Sequence, residues 1–579
     1  MTESTRSLPP LIPLANGGWE ANSFMSSVQY TIRGLGLKPS NHIVPVIVVP
    51  GIMGTNLRAK REPNVSDQTD ERNKKVGPGK PVWHPPNGST DGFRASMKWN
   101  QRSGKERQLL LDGETLEVDD GGAIILPEPL GGYVLTDAEV RQRGWGEVHA
   151  DSYGALLHAL QMRLNQTFGF DEVNKKRFVQ PHWMEVMSCD PQKWGQREFE
   201  PLTEAHLRKH AGHYFPVYAV GYNWLEDCGN SSRRLEKRIL EIIEFWSSAK
   251  RRCDKVILVT HSMGGLVARA CAKRIPEKIA GVIHGVMPAL GAPVAYRRMT
   301  CGTEAGSPSN GPVDNLIASR IAKILGDTAE KTTAVLATAP GALELLPNHL
   351  YQQPWLHVRV IKSSGALRGS GYGSKDDVTR LREFPEDYLH LPNARLPNPY
   401  DLYRDLTSWY RLIDPALADP SRKYEGAKGG VNEAIWSAIA TAESFHRGLG
   451  DFYHPNTYAF FGDDLTELSY DQVRWVARQG SGSAGALTVS NLTTAKPAGQ
   501  SESGVRRVLV EGKTELHFAP DVQEARGDGT VPSVSGGGVV GKVKHAFATR
   551  GYDHQGAYNN DHMLMLTLRL VVKIVQELP

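Results

Sequence analysis

Along much of the chain, short runs of β-branched and other apolar residues alternate with stretches that repeat apolar side chains at helical spacing, the pattern of a parallel sheet joined by crossover helices. The runs at 43–49, 216–220, 255–260, 280–286, 457–461 and 543–549 are continuous rather than alternating. Strands covered on both faces read this way, so a buried, mostly parallel sheet is predicted. The run at 216–220 precedes a helical pattern with Leu235, Ile239, Leu240 and Ile243. After 255–260 a glycine-containing turn leads into a helix through Leu266, Val267 and Ala270, and a closing helix is predicted over 561–576.

Three stretches break the alternation. Residues 57–143 carry Pro, Gly and charge, with hairpin strands expected at 108–111 and 123–126. Residues 293–453, the longest stretch, hold several helical patterns between loops rich in Gly, Pro and Ser. Residues 462–525 include a Ser/Gly/Ala tract at 480–485 and a strand-like segment at 508–510.

Composition narrows the class. A chain of 579 residues is several times a usual domain, so a large core with long insertions is expected. Apolar content of 40% and charged content of 22% are those of an ordinary globular protein. A formal charge of +4, with no dense basic stripe, argues against a nucleic-acid partner; the mixed run at 60–75 reads as a solvated loop. Cys189, Cys228, Cys253, Cys271 and Cys301 are odd in number and irregularly spaced, neither a disulfide framework nor a zinc pattern. With no H-E-x-x-H or C-x-x-C, neither metal nor cofactor is expected. The first residues lack a basic region followed by an apolar one, and no apolar run reaches membrane-spanning length. The expectation is a protein without a transmembrane segment, cytoplasmic in the producing cell, whose export would need no signal peptide.

The chemistry centres on T-H-S-M-G-G at 260–265, between a predicted strand and a predicted helix. A nucleophile elbow holds its serine in a strained turn and needs small residues close by; Gly264 and Gly265 supply them, while Thr260 stands where the usual first glycine would be. Ser262 is therefore the candidate nucleophile, and the fold class is α/β, specifically the α/β-hydrolase fold: a mostly parallel sheet with helices on both faces and a large helical lid insertion. The expected organisation is an N-terminal extension (1–41), a first core part (42–292, with an insertion at about 58–143), a lid (293–453) and a second core part (454–579, with an insertion at about 462–525).

Acyl transfer needs two backbone amides for the oxyanion, one from the residue after the serine, Met263, and one from a loop after an early strand. The segment P-G-I-M-G-T at 50–55 fits, with glycines that let the backbone turn so that the Met53 amide faces inward. The acid follows the serine in the chain and the base follows the acid. Asp528, in G-D-G-T-V-P, is the preferred acid, with Asp463 and Asp464 as competitors after the run at 457–461. His554, on the loop after the last strand, is preferred as base over His562 in the first turn of the closing helix, because a loop histidine can swing toward the strand ends. The G-x-x-x-x-G-K match at 536–542 lacks the Ser/Thr and the helix of a nucleotide loop, and the glycine cluster at 369–373 has no βαβ context.

VPVIVVPGIMGTNL from Val44, GYNWLEDCGNSSRRLEKRI from Gly221, THSMGGLVAR, PALGAP from Pro288, PGALELLP from Pro340, AESFHRGLGDF from Ala442 and GDGTVP occur in an order that resembles the lecithin:cholesterol acyltransferase and lysosomal phospholipase family and the GPI-inositol deacylases. The resemblance places Ser262, Asp528, Met53 and Met263 in the family's roles. It matches His554, Tyr558 and Asn560 to the spacing around the base, with His562 still open. It implies a lipase or phospholipase acting on a lipid or membrane surface, with 293–453 as the lid and 334–346 bordering an acyl groove, touching a bilayer or buried. The chain departs from those relatives in its long polar insertions and in lacking their signal peptide and disulfides. In these respects it looks like the lipase effectors of type VI secretion, which implies an antibacterial role and a cognate immunity protein as partner. A soluble carboxylesterase, an acyltransferase and a non-catalytic binding module on the same fold are the alternatives.

Overall fold

The computed structural model describes residues 39–60, 76–124, 135–171, 176–248, 250–364, 382–479, 487–512 and 514–579, with short strand segments among the first 38. The continuous apolar runs form the central sheet: β1 (Val46–Val49), β2 (Val217–Ala219), β3 (Val256–His261), β4 (Ile279–Gly285), β5 (Thr457–Gly462) and β6 (His545–Thr549). They lie in the order β2-β1-β3-β4-β5-β6, each neighbouring pair parallel.

Successive side chains of a strand point to opposite faces, and here each face has its own core. Val46, Val48, Ile257 and Val259 enter one; Ile47, Val49, Val256 and Leu258 enter the other. Four helices cover the sheet: α1 (Ala150–Asn165), α2 (Cys228–Trp246), α3 (Gly264–Arg274) and α4 (Asp561–Gln576). Leu156 and Leu160 of α1 and Leu566 and Leu570 of α4 close the first core. Leu235 and Ile239 of α2 and Leu266 and Val267 of α3 close the second. Each fully buried aliphatic side chain contributes about 1.5–3 kcal/mol, so this apolar stripe fixes which side of α2 faces the sheet. Leu240, expected among the apolar positions of that helix, lies on its outer face.

The chain order positions the site. β2 and β3 flank β1 on opposite sides, so the connections leaving the carboxyl ends of β1 and β3 part there and leave a crevice, the usual ligand position in an open α/β sheet.

Residues 108–110, expected in a hairpin strand, belong to a helix at Gly104–Leu110. Ser103 Oγ accepts the Glu106 N–H, and the Glu106 carboxylate accepts the Ser103 N–H. This reciprocal cap favours a helical turn, and Arg107, Leu109 and Leu110 are buried along it. Of the second expected hairpin strand, 123–124 are not strand, and 125–126 lie outside the described residues, as do 369–373 and 480–485.

The insertions at 293–453 and 462–525, kept apart in the sequence reading, share one sheet. Arg382–Leu391, Leu356–Ser364, Val473–Gln479, Thr514–Pro520, Arg506–Val510 and Lys496–Gln500 lie side by side in that order. Trp355, Trp409, Trp475 and Phe518 are buried in its core. Ala334, Val335, Ala337, Ala339, Ala342, Leu343 and Leu346 are buried, while Ala334, Val335, Thr338, Ala339 and Pro340 also line a cavity of about 450 Å³. Among the described residues no helix is long and apolar enough to cross a membrane.

Candidate active site

Ser262 stands between β3 and α3 with φ of 51°, a left-handed conformation that a side-chain-bearing residue adopts only where the surroundings impose it. Its N–H donates to Gly285 O at 2.9 Å, tying the turn to the end of β4. A Cβ on Gly264 would lie 2.4 Å from Pro50 O and 2.5 Å from Val49 O, which is why α3 can start this close to β1 only with glycine there. The Thr260 side chain finds its own place: its hydroxyl bonds His284 Nδ1 at 2.8 Å, and burial pushes His284 down to about 3.

The candidate base follows the edge strand β6, and the candidate acid follows the short strand Ala525–Gly527, which lies outside the central sheet. His554 Nε2 lies 2.8 Å from Ser262 Oγ, and His554 Nδ1 lies 2.8 Å from Asp528 Oδ2. Asp528 is 1% exposed, and its Oδ1 accepts the Thr530 and Val531 N–H groups at 3.0 and 2.7 Å. These amides fix the carboxylate, which accepts from Nδ1 and leaves Nε2 free to accept the serine proton. The base loop is also held by its backbone: His554 N–H donates to Asp528 O at 2.7 Å.

The competing residues have other partners. Asp464 accepts the Gly551 N–H at 2.8 Å, bracing the base loop, and Asp463 pairs with Arg526 and Arg550 at 3.3 Å. His562 is in the first turn of α4, where Asn560 Oδ1 accepts its N–H; its carbonyl accepts from Trp194 Nε1, and its Nδ1 is buried without a partner among the described residues. Tyr558 donates to Thr260 O at 2.9 Å, so the Tyr and Asn matched in the sequence hold the elbow and start the helix, respectively.

The loop after β1 abuts the serine: a Cβ on Gly51 would lie 3.0 Å from Ser262 Cβ. The left-handed residue of this loop is Met53, with φ of 62°, and its carbonyl accepts from Trp83 Nε1 at 2.9 Å. The glycines at 51 and 54 thus serve close approach, and the turn itself falls on Met53. Among the described residues the Met53 and Met263 amides, the candidate oxyanion donors, have no hydrogen-bond acceptor, and the neighbouring Ile52 amide has none either.

Two further residues join the site that the sequence reading passes over, Tyr153 of α1 and His261. His261 stands inside the elbow motif, but its partners come from segments far away in the chain.

The fold and this crevice define an α/β-hydrolase of the lipase/esterase kind. Comparison with known proteins gives the same class. Residues 229–307 match the model of a PGAP1-like alpha/beta domain. A chain of the solved Tle4–Tli4 complex is similar at 29% identity and a TM-score of 0.70, over 93% of this chain and 99% of that one. Methylesterase 7 of Arabidopsis thaliana is 44% identical over 57 residues, 10% of this chain; the match spans 22% of the plant protein's length.

Proposed function

We propose that the protein is a serine lipase or phospholipase that hydrolyses lipid carboxylic esters through Ser262, His554 and Asp528. The observation that carries this reading is His554, within 2.8 Å of both Ser262 Oγ and Asp528 Oδ2. In the proposed reaction His554 takes the Ser262 proton as Oγ attacks the ester carbonyl, and the Met53 and Met263 amides hold the oxyanion. Collapse breaks the ester C–O bond, and His554 hands its proton to the leaving alcohol. Water, deprotonated by His554, then attacks the acyl-serine; the acyl C–Oγ bond breaks, His554 returns the proton to Ser262 Oγ, and the fatty acid leaves.

A lipid surface as substrate finds support in the helices Gly88–Asn100 and Pro312–Leu325. They lie against each other and expose Phe93, Met97, Val313, Leu316, Ile317 and Ile321, each about half exposed or more. Arg94 and Lys98 are exposed on the first helix and Arg320 lies 5.5 Å over the Phe93 ring, a basic fringe suited to anionic phospholipid; Asp91 and Asp314 occupy the first turns. Trp99 meets Trp83 edge-on at 5.4 Å, and Trp83 bonds Met53 O, so this apolar face is linked to the candidate oxyanion loop.

The likeness to a chain of the Tle4–Tli4 complex supports a further part of the proposal: an effector exported without a signal peptide, acting on a rival's membrane phospholipid, with a cognate immunity protein as partner. The short match to a methylesterase favours the second reading, a soluble esterase. Turnover of p-nitrophenyl butyrate and palmitate tests between them. The lipase reading expects kcat/KM to rise with chain length and further on vesicles; activity confined to the short ester would overturn it.

A further inference from the structure

A buried hydrogen-bond chain ties the loop after β1 to the loop carrying the base, and its two side chains are Tyr153 and His261. Gly51 N–H donates to Tyr153 Oη at 2.9 Å. Tyr153 Oη lies 3.0 Å from His261 Nδ1, and His261 Nε2 lies 2.8 Å from His554 O. The direction of each bond follows from the ends. A carbonyl only accepts, so His261 Nε2 carries a hydrogen and donates to His554 O. Burial, with the neighbouring His554 next in importance, pushes His261 down to about 3, so its imidazole is neutral and Nδ1 is an acceptor. Tyr153 O–H therefore donates to Nδ1, while its lone pair takes the Gly51 N–H. Burial also raises the Tyr153 phenol, keeping that proton in place.

We infer that Tyr153 and His261 are positioning residues that hold the base loop and the oxyanion loop in one frame around Ser262, an inference that rests on the serine-hydrolase reading above. Tyr153 is 1% exposed and His261 2%, so bulk water cannot replace either partner. The loop is shaped around them: a Cβ on Gly51 would lie 2.8 Å from His261 Nδ1, and one on Gly54 2.9 Å from Tyr153 Oη. At the other end the His554 backbone is gripped twice, its N–H by Asp528 O and its carbonyl by His261. With the main chain held on both sides, the ring has little freedom except to bridge Asp528 and Ser262. The next residue, Gln555, bonds Ser152 of α1, so the same turn of that helix braces the base loop a second time.

Removing the Tyr153 hydroxyl leaves the Gly51 N–H and His261 Nδ1 unpaired and cuts the link between the loop after β1 and His261, so the imidazole that donates to His554 O is no longer held from its other side. The effect belongs in the chemical step rather than in substrate capture. The test uses Tyr153→Phe, His261→Gln and His261→Leu in the full chain, with two readouts: steady-state hydrolysis of a p-nitrophenyl ester and the rate at which a fluorophosphonate labels Ser262. The expected result for Tyr153→Phe is a fall in kcat of about 10- to 100-fold, with a parallel fall in labelling rate. KM should stay within about twofold. His261→Gln, whose amide can still donate to His554 O, should keep more activity than His261→Leu. Wild-type labelling rate and kcat in Tyr153→Phe would overturn the inference while leaving the hydrolase reading intact. So would a rise in KM at constant kcat, or a rate loss that merely follows the loss of folded protein seen by near-ultraviolet circular dichroism. Failure of the unmodified protein to label at Ser262 would remove the hydrolase reading and this inference with it.

Discussion

At the residue scale, the candidate chemistry depends on which groups are charged and which are kept neutral. Asp528 accepts two backbone amides as well as His554 Nδ1. On the proposed mechanism, Asp528→Asn keeps the shape but allows the wrong tautomer of His554, and kcat is expected to fall by about 10⁴. Ser262→Ala and His554→Ala should each cost about 10⁶, whereas His562→Ala should leave kcat near that of the unmodified protein. His210, His261 and His284 are the neutral counterparts, each pushed by burial from 6.5 to about 3. Between those values the unfolded chain binds protons that the folded one refuses, so stability is present above 6.5 and is lost as pH falls. Each histidine costs about 1.4 kcal/mol per pH unit within that window, and thermal melting between pH 7 and 4 should show a steep fall in Tm. Ser262, Asp528 and His554 stand in short motifs because tight turns need glycine beside the reactive side chain. Tyr153 was not legible, because its partners Gly51 and His261 lie about a hundred residues away on either side.

At the element scale, the elbow depends on how closely α3 approaches β1. Gly264→Ala places a methyl group against two backbone carbonyls that cannot yield separately, so we expect a loss of about 2–4 kcal/mol in chemical denaturation together with loss of activity. Glu344 couples two insert elements to the core: its Oε2 accepts the Cys228 N–H at the start of α2, and its carbonyl accepts from His446. Burial raises its carboxyl from 4.5 to about 8, so the stability it contributes is full below 4.5 and declines as pH rises to 8. Glu344→Gln should flatten that decline, read as a smaller drop in Tm between pH 7 and 8, where the buried histidines no longer contribute a pH dependence. The strands of the sheet and the helix at Asp561–Gln576 were readable because continuous apolar runs and a long apolar stripe leave little choice of period. The helix at Gly104–Leu110 was not: seven residues give a weak periodic signal, and its Ser103/Glu106 cap outweighs the strand-like reading of 108–111.

At the scale of the whole molecule, the α/β-hydrolase core was legible in the alternation of strands and helices, while the arrangement of the insertions was not. Leu356–Ser364 pairs with Val473–Gln479 across more than a hundred residues, and strand partners at that separation leave no mark in local pattern. The exposed apolar face on Gly88–Asn100 and Pro312–Leu325 was equally hidden, since it needs two helices from different insertions side by side. If that face meets lipid, Leu316→Ser with Ile317→Ser should lower hydrolysis of anionic phospholipid vesicles about tenfold or more and leave p-nitrophenyl butyrate turnover unchanged. The central claim is that Ser262, served by His554, cleaves lipid ester. Lipid mass spectrometry of phospholipid vesicles incubated with the protein, Ser262→Ala, His554→Ala and His562→Ala tests it most directly. The account predicts fatty acid and lysophospholipid from the unmodified protein and His562→Ala, and neither above background from the other two; undiminished hydrolysis by Ser262→Ala would contradict it.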